Sequence, residues 1–265
     1  MKYLRFIHPD TRSPIYGILE ADKIKICRGE ALWRLSETGD IIPLNSIDKY
    51  LPPVDPPDVI ALGMNYRAHA AEIKQPIPKE PLMLLKATSS VVGHRDAIVL
   101  PKLAPSEVDY EGELVIVIGG KTRNITENEA LDYVFGWTCG NDVTARDCQF
   151  QKDGQWARAK SFDTFCPLGP CIETELDPSN VKVQTRVNKR LLQDSSSSDM
   201  IFSVETVVSY LSNCMTLQPG TVIMTGTPPG VGYRREPQLY LRPGDLVEVT
   251  IDKIGTLENR VSAEQ

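Results

Sequence analysis

Two acidic residues separated by one glycine, Glu111 and Glu113, open onto the longest apolar run in the chain, Leu114–Ile118. If Tyr110–Ile118 is one strand, residues two apart point to the same face, and both carboxylates project side by side. Two neighbouring carboxylates at a buried strand end repel each other and lose hydration unless a cation compensates. A hard divalent ion such as Mg2+ or Mn2+ prefers such oxygen donors and keeps positions open for water or substrate. The plainer alternative is an exposed edge with two solvated glutamates. Further along, a strand ending in Trp137-Thr-Cys-Gly140 runs into Asn141-Asp142 at what reads as a helix start. Asp142 is there either a third ligand or an ordinary N-cap.

Other residues carry chemistry of a different kind. His69 and Glu72 stand three apart in a short helical stretch, 66–74, and so share a face. A carboxylate that orients a histidine fixes its tautomer and makes it a better proton acceptor. The same spacing also suits a solvated helix face. Lys160 follows the fairly apolar Trp156-Ala-Arg-Ala, and lysine is seldom buried without a partner, so a place beside the carboxylates or a substrate oxygen fits. A lone lysine is more commonly at the surface. Arg146 and Gln149 share a face if a helix follows Asp142; Arg146 then serves a substrate pocket or a structural ion pair with Asp147 or Glu111. Thr225-Gly-Thr-Pro-Pro-Gly-Val-Gly232 is a glycine-rich turn whose backbone N–H groups can approach a ligand, with the Thr227 hydroxyl as a donor. It lacks the Gly-Lys-Ser/Thr ending of a phosphate loop. His8 and His94 have no companions and receive no role.

The elements that must position these groups are mostly strands. Segments 2–7, 15–20 and 23–27 are short and β-prone and form a small N-terminal β unit. Four prolines in Leu51–Pro57 mark the boundary, giving an N-terminal β domain over 1–52 and a main domain over 58–265. Beyond it, Val59–Leu62, Leu82–Leu85, Tyr110–Ile118, Val181–Val187, Thr221–Met224 and Asp245–Ile251 read as strands. Helices are expected over 66–74, over 203–211, and after a capping box at Thr126-Glu-Asn-Glu129. Strands outnumber helices without alternating regularly with them, which favours an α+β, strand-rich fold. Gln193-Asp-Ser-Ser-Ser-Ser-Asp199 reads as a mobile surface loop.

Composition narrows the partners. With 29 basic and 35 acidic residues among 265, the net charge of −6 disfavours nucleic acid. No stretch is long and apolar enough to span a bilayer, and no secretory signal is visible, so a cytoplasmic place without membrane partners is expected. Six cysteines in a chain of this length suggest buried thiols rather than a disulfide scaffold.

Five blocks in order then resemble the fumarylacetoacetate hydrolase family: Gly63-x-Asn65-Tyr66-x-x-His69-x-x-Glu72, Tyr110-Glu111-x-Glu113-Leu114, Asn141-Asp142-x-Thr144-Ala145-Arg146-Asp147, Ala159-Lys160-Ser161-Phe162 and Thr225-Gly226-Thr227-Pro228. Each block is weak alone; the ordered set is specific. The resemblance implies a mixed β-sandwich roll with a small N-terminal domain, a homodimer, and Mg2+ or Mn2+ on Glu111, Glu113 and Asp142. It assigns His69, Glu72 and Lys160 to catalysis, the first two on a lid. Arg146, Gln149, Gly226, Thr227 and Lys86 are assigned to the substrate, a small oxo acid. Met64 departs from the arginine that some acylpyruvase-type members carry there. The leading activity is hydrolysis of a C–C bond in an acylpyruvate-like acid. Oxaloacetate decarboxylation, isomerisation of a hydroxyheptadienedioate, and simple oxo-acid binding are the rivals.

Overall fold

Seven consecutive buried residues, Gly112–Ile118, form an inner strand of the molecule. An unbroken apolar run suits a strand covered on both faces. Alternation divides it: Leu114, Ile116 and Ile118 enter one core cluster, Val115 and Val117 another. The first cluster continues into Val183, Val249, Ile251 and Leu257 of a second sheet, so two sheets pack face to face. Gly112 is a point of close approach between them. A Cβ there would stand 2.0 Å from Thr185 Oγ1, which leaves room only for glycine.

The computed structural model describes residues 1–29 and 31–265. Among them the strands form sheets of eleven, five and two strands. The large sheet begins with Ser36–Pro43, Lys23–Arg28, Pro14–Glu20 and Lys2–Ile7, an antiparallel meander. It continues through Cys166–Glu173, Val134–Asn141, Gly112–Ile118, Val222–Met224 and Val59–Gly63 to the edge strand Leu82–Lys86. Val91–Val92 adds a short parallel pairing to Cys166–Glu173. The N-terminal strands are thus hydrogen-bonded into the main sheet, through Lys2 and Tyr3 opposite Glu173 and Ile172. The second sheet runs Arg190–Ser196, Lys182–Val187, Leu246–Ile251, Gly255–Ala263 and Ala97–Leu100. The fold is strand-rich α+β, as the sequence pattern indicates. Three α-helices are described: α1 (Arg67–Glu72), α2 (Trp156–Ala159) and α3 (Val204–Cys214). None of the described helices is long and apolar enough to cross a membrane.

Several local expectations are corrected. The serine run is no mobile loop: Gln193–Ser196 belong to a strand paired with Lys182–Val187, and Gln193 is fully buried. The helix behind the capping box at Thr126 is a 3-10 helix, Glu127–Tyr133. Two strands escape a hydrophobic reading for opposite reasons. Ser36–Pro43 is exposed almost throughout, so it has no buried face to leave a pattern. Cys166–Glu173 carries Pro167, Gly169 and Pro170, which ordinarily argue against an inner strand. A register irregularity opposite Trp137–Cys139 accommodates them.

His94, without a role in sequence, sits where Tyr50 meets the C-terminal strand. Its Nδ1 accepts the Glu258 N–H at 3.1 Å, and its ring meets Tyr50 edge-on at 4.8 Å. Burial, helped by the Arg95 charge, lowers its pKa from 6.5 to about 4. A histidine held neutral in the fold favours unfolding once the unfolded chain can protonate. Its contribution is complete above pH 6.5 and is lost as pH falls towards about 4, at most about 3 kcal/mol. Urea unfolding from about pH 7 to about 4.5 should therefore show a smaller loss of stability in His94→Gln than in the parent. Parallel curves would show that His94 does not act this way.

Candidate active site

Tyr110 and Glu111 form a step between the short strand Val108–Asp109 and Gly112–Ile118, so Glu111 lies before the long strand and not within it. Cross-links place it instead. Its N–H donates to Asn141 Oδ1 at 2.9 Å, and its carbonyl accepts the Asp142 N–H at 2.8 Å. Asp142 is not at a helix start either; it links Val134–Asn141 to Thr144–Ala145. These two turns and the strand deliver Glu111, Glu113 and Asp142 to one point. An oxygen from each lies within 4.8 Å of the others, and all three residues are buried.

Cations surround them unevenly. Lys160 Nζ donates to Glu111 Oε2 (2.7 Å), Asp142 Oδ2 (2.6 Å) and Thr144 Oγ1 (2.8 Å). Lys86 Nζ reaches the other Asp142 oxygen and the Phe165 carbonyl. Arg146 donates from Nη2 to Glu111 Oε1 (2.7 Å), from Nε to Asp109 Oδ2 (2.9 Å) and from Nη1 to Gln149 Oε1 (2.9 Å). Burial works to raise the Glu111 pKa, but Lys160 and Arg146 overcome it and hold the carboxyl at about 2. Burial likewise opposes the Lys160 charge, yet Asp142 and Glu111 raise its pKa, so the ammonium is locked in.

Glu113 is left out of this pairing. Its Oε2 accepts the Gly226 N–H at 2.7 Å, while Oε1 has no partner among the described residues. Burial, with Asp142 and Glu111 adding to it, pushes its pKa well above the usual carboxylate range. Gly226 can approach because it has φ +95 and no Cβ; one would stand 2.9 Å from Asn65 Cβ. The orphaned buried oxygen is a donor atom free to take a cation. Three carboxylates suit a hard ion such as Mg2+ or Mn2+ better than a soft one, so the residues fit the divalent metal expected of them.

Helix α1 brings the His69–Glu72 pair. His69 Nδ1 and Glu72 Oε2 lie 2.9 Å apart, and the other Glu72 oxygen accepts the Gly230 N–H at 2.9 Å. Glu72 therefore orients the imidazole and ties the helix to the glycine-rich turn. At the helix start, Ala68 N–H donates to Asp199 Oδ2 at 2.9 Å. His69 lines a cavity of about 520 Å3 with Glu111, Lys160, Arg146, Gln149 and Thr227 on its polar side. Leu62, Met64, Ile73, Leu82, Phe150 and Trp156 supply an apolar wall. Such a volume and lining suit a small organic ligand.

Not every expected residue reaches the cavity. Lys86 does not line it: its ammonium is fully buried against Asp142, which does not line it either. Gly226 is likewise one step removed, its N–H spent on Glu113. The Thr227 hydroxyl is at the wall but already donates to Gly112 O (3.1 Å) and accepts from Gln193 (2.7 Å). Sequence reasoning missed Gln193, hidden in the serine run, whose amide also accepts the Gly112 N–H at 2.9 Å. It missed Asp109 as well, although an acidic residue two before Glu111 was a visible signal. Tyr233 and Arg234, at the cavity wall, lie beyond any block that drew notice.

Fold and site together define a strand-rich protein with a buried carboxylate centre beneath a ligand-sized cavity. The family model for the Fumarylacetoacetate (FAA) hydrolase C-terminal region matches residues 58–262, and the chain belongs to that family. It is 44% identical over 231 residues to a Xenopus laevis protein named oxaloacetate tautomerase fahd2, mitochondrial, covering 86% of this chain and 72% of that one. The solved structure named 5-carboxymethyl-2-hydroxymuconate delta-isomerase from Mycobacterium smegmatis is similar with TM-score 0.89 and 40% identity, both chains covered at 100%. Fumarylacetoacetate hydrolase from Exiguobacterium antarcticum gives TM-score 0.90 and 38% identity, also with 100% of both chains covered.

Proposed function

We propose that this chain is an enzyme that interconverts the keto and enol forms of a small 2-oxo acid. One observation carries the reading: a histidine oriented by a carboxylate shares a cavity with Glu111 of a buried three-carboxylate centre in which a Glu113 oxygen has no partner among the described residues. A divalent ion held by Glu111, Glu113 and Asp142 would supply positive charge that polarises the oxygens of an oxo acid. The chain's own residues do the rest. With Nδ1 engaged by Glu72, His69 keeps Nε2 for the proton on the carbon beside the carbonyl. Gln149 orients the acid from the polar side, Arg146 holds Glu111 in place, and Lys160 keeps Glu111 ionised. The wall formed by Leu62, Met64 and Trp156 limits water. His69 then returns its proton to carbon or to oxygen, so atoms balance without a co-reactant.

Hydrolysis of a C–C bond leads on sequence alone, and it remains the second reading. It would use the same His69–Glu72 pair to activate a water. Two of the three relatives described above are named for a tautomerase and an isomerase, which need only proton transfer; this moves enolisation ahead. The homodimer expected from the resemblance stays part of the proposal. The edge strand Leu82–Lys86, with Leu82 and Leu85 exposed, is the surface that supports it.

The test is an assay of the metal-loaded protein. Decay of enol absorbance with oxaloacetate is followed with Mn2+ and after exhaustive chelation, and products from acetylpyruvate and fumarylpyruvate are identified. Enol–keto exchange above the buffer rate, lost on chelation, is expected. C–C cleavage without such exchange would overturn the first reading in favour of the second. His69→Ala should lower the exchange rate by about 10²–10⁴-fold while Mn2+ affinity holds. Unchanged rates would remove His69 from the mechanism.

A further inference from the structure

We infer that Arg234, at the wall of the cavity, is a specificity-determining residue that takes the distal carboxylate of an oxo diacid. This rests on the oxo-acid reading above. Three permanent cations line the cavity: Arg146, Lys160 and Arg234. The first two are committed. Arg146 is paired with Asp109 and Glu111, and Lys160 with Glu111 and Asp142. Arg234 is not. Its Nη2 donates to the Ile73 carbonyl at 2.9 Å and its guanidinium lies 5.0 Å from the Tyr233 ring centroid. No carboxylate among the described residues pairs with it, and it is exposed at the cavity wall.

Its position gives that charge a use. The Tyr233 ring also lies 4.3 Å from the Arg146 guanidinium, so one aromatic ring separates Arg234 from the arginine that holds Glu111. A ligand with its oxo-acid end near Glu111 and Lys160 thus carries its far end towards Arg234. Ile73, Leu82 and Phe150 beside this path offer contact to a carbon chain but no hydrogen bonds. An apolar far end would gain nothing from the guanidinium. A carboxylate takes its planar fork of donors, one of the stronger hydrogen-bonding arrangements available to a side chain.

The competing role for Arg234 is structural, since its bond to Ile73 O helps hold the segment after helix α1. A latch would serve all ligands alike, and that separates the two. Binding of 2-oxoglutarate and 2-oxopentanoate, which match in length and differ in the distal carboxylate, is measured by calorimetry on the Mn2+-loaded parent and Arg234→Gln. The parent should bind the diacid at least tenfold more tightly. Arg234→Gln should lose that preference and bind 2-oxopentanoate as the parent does. Equal weakening of both acids in the variant overturns the inference in favour of the latch. A preference that survives the substitution, or a parent with no preference, overturns it while leaving oxo-acid binding intact. Failure of the parent to bind either acid would refute the oxo-acid reading itself, and this inference with it.

Discussion

Glu113→Gln is expected to lose at least about 100-fold in Mn2+ affinity and yet, freed of metal, to be more stable than the parent. Both effects follow from the orphaned oxygen. In the metal-free protein Glu113 is buried beside Glu111 and Asp142 with no cation of its own, and its pKa is raised accordingly. Glutamine removes the cost of burying or protonating that carboxylate, keeps an acceptor for the Gly226 N–H, and places a permanent donor facing carboxylates. A gain of roughly 1–3 kcal/mol is reasonable for relieving an unpaired buried group. Groups that merely support a ligand cost 10–100-fold in affinity when removed, so a direct ligand should cost more. In the parent, Mn2+ affinity should fall as pH falls, because a protonated Glu113 cannot ligate. The variant should lose that part of the slope. Thermal melts with and without Mn2+, and titrations at two pH values, give all three quantities. A variant with parental affinity would remove Glu113 from the metal site.

The parts of this arrangement that sequence exposes are those carried by local periodicity. The apolar run after Glu113 identified a covered strand, and the spacing of His69 and Glu72 identified a helical pair now seen in contact. What stayed hidden depends on residues far apart in the chain. Gln193 looks like the first letter of a serine tract until Thr227, Pro228 and Gly112 are folded around its amide. Lys86 has the type of a substrate-binding residue, but only the third dimension shows its ammonium spent on Asp142, away from the cavity wall. A continuous strand would set Glu111 beside Glu113; the strand breaks before Gly112, and the Asn141 side chain restores the position.

Asp109 makes the same point as an expected result. Asp109→Asn should destabilise the protein by about 3–5 kcal/mol, the usual cost of breaking a buried ion pair. It should also lower kcat by about 100-fold, the effect of small misplacements in an active site. The residue is fully buried and accepts from donors only. Oδ1 takes the N–H groups of Tyr110 (2.9 Å) and Gly232 (2.8 Å); Oδ2 takes Arg146 Nε (2.9 Å) and Tyr233 N–H (3.1 Å). Either orientation of an asparagine amide turns an NH2 towards two of these donors. Arg146 and the Tyr233 segment then move apart, and Arg146 is the residue that holds Glu111. Mn2+ affinity should fall by about 10-fold, less than for Glu113→Gln, since Asp109 acts on the ligand Glu111 only through Arg146. Burial raises the Asp109 pKa and Arg146 opposes it, so the substitution also reports on charge. If Asp109 is ionised at neutral pH, as four donors require, the full loss appears there and shrinks as the pH is lowered and the parent's Asp109 takes up its own proton. An asparagine variant with parental stability near pH 7 would mean that the carboxyl is already neutral, and that Arg146 is held by Glu111 alone.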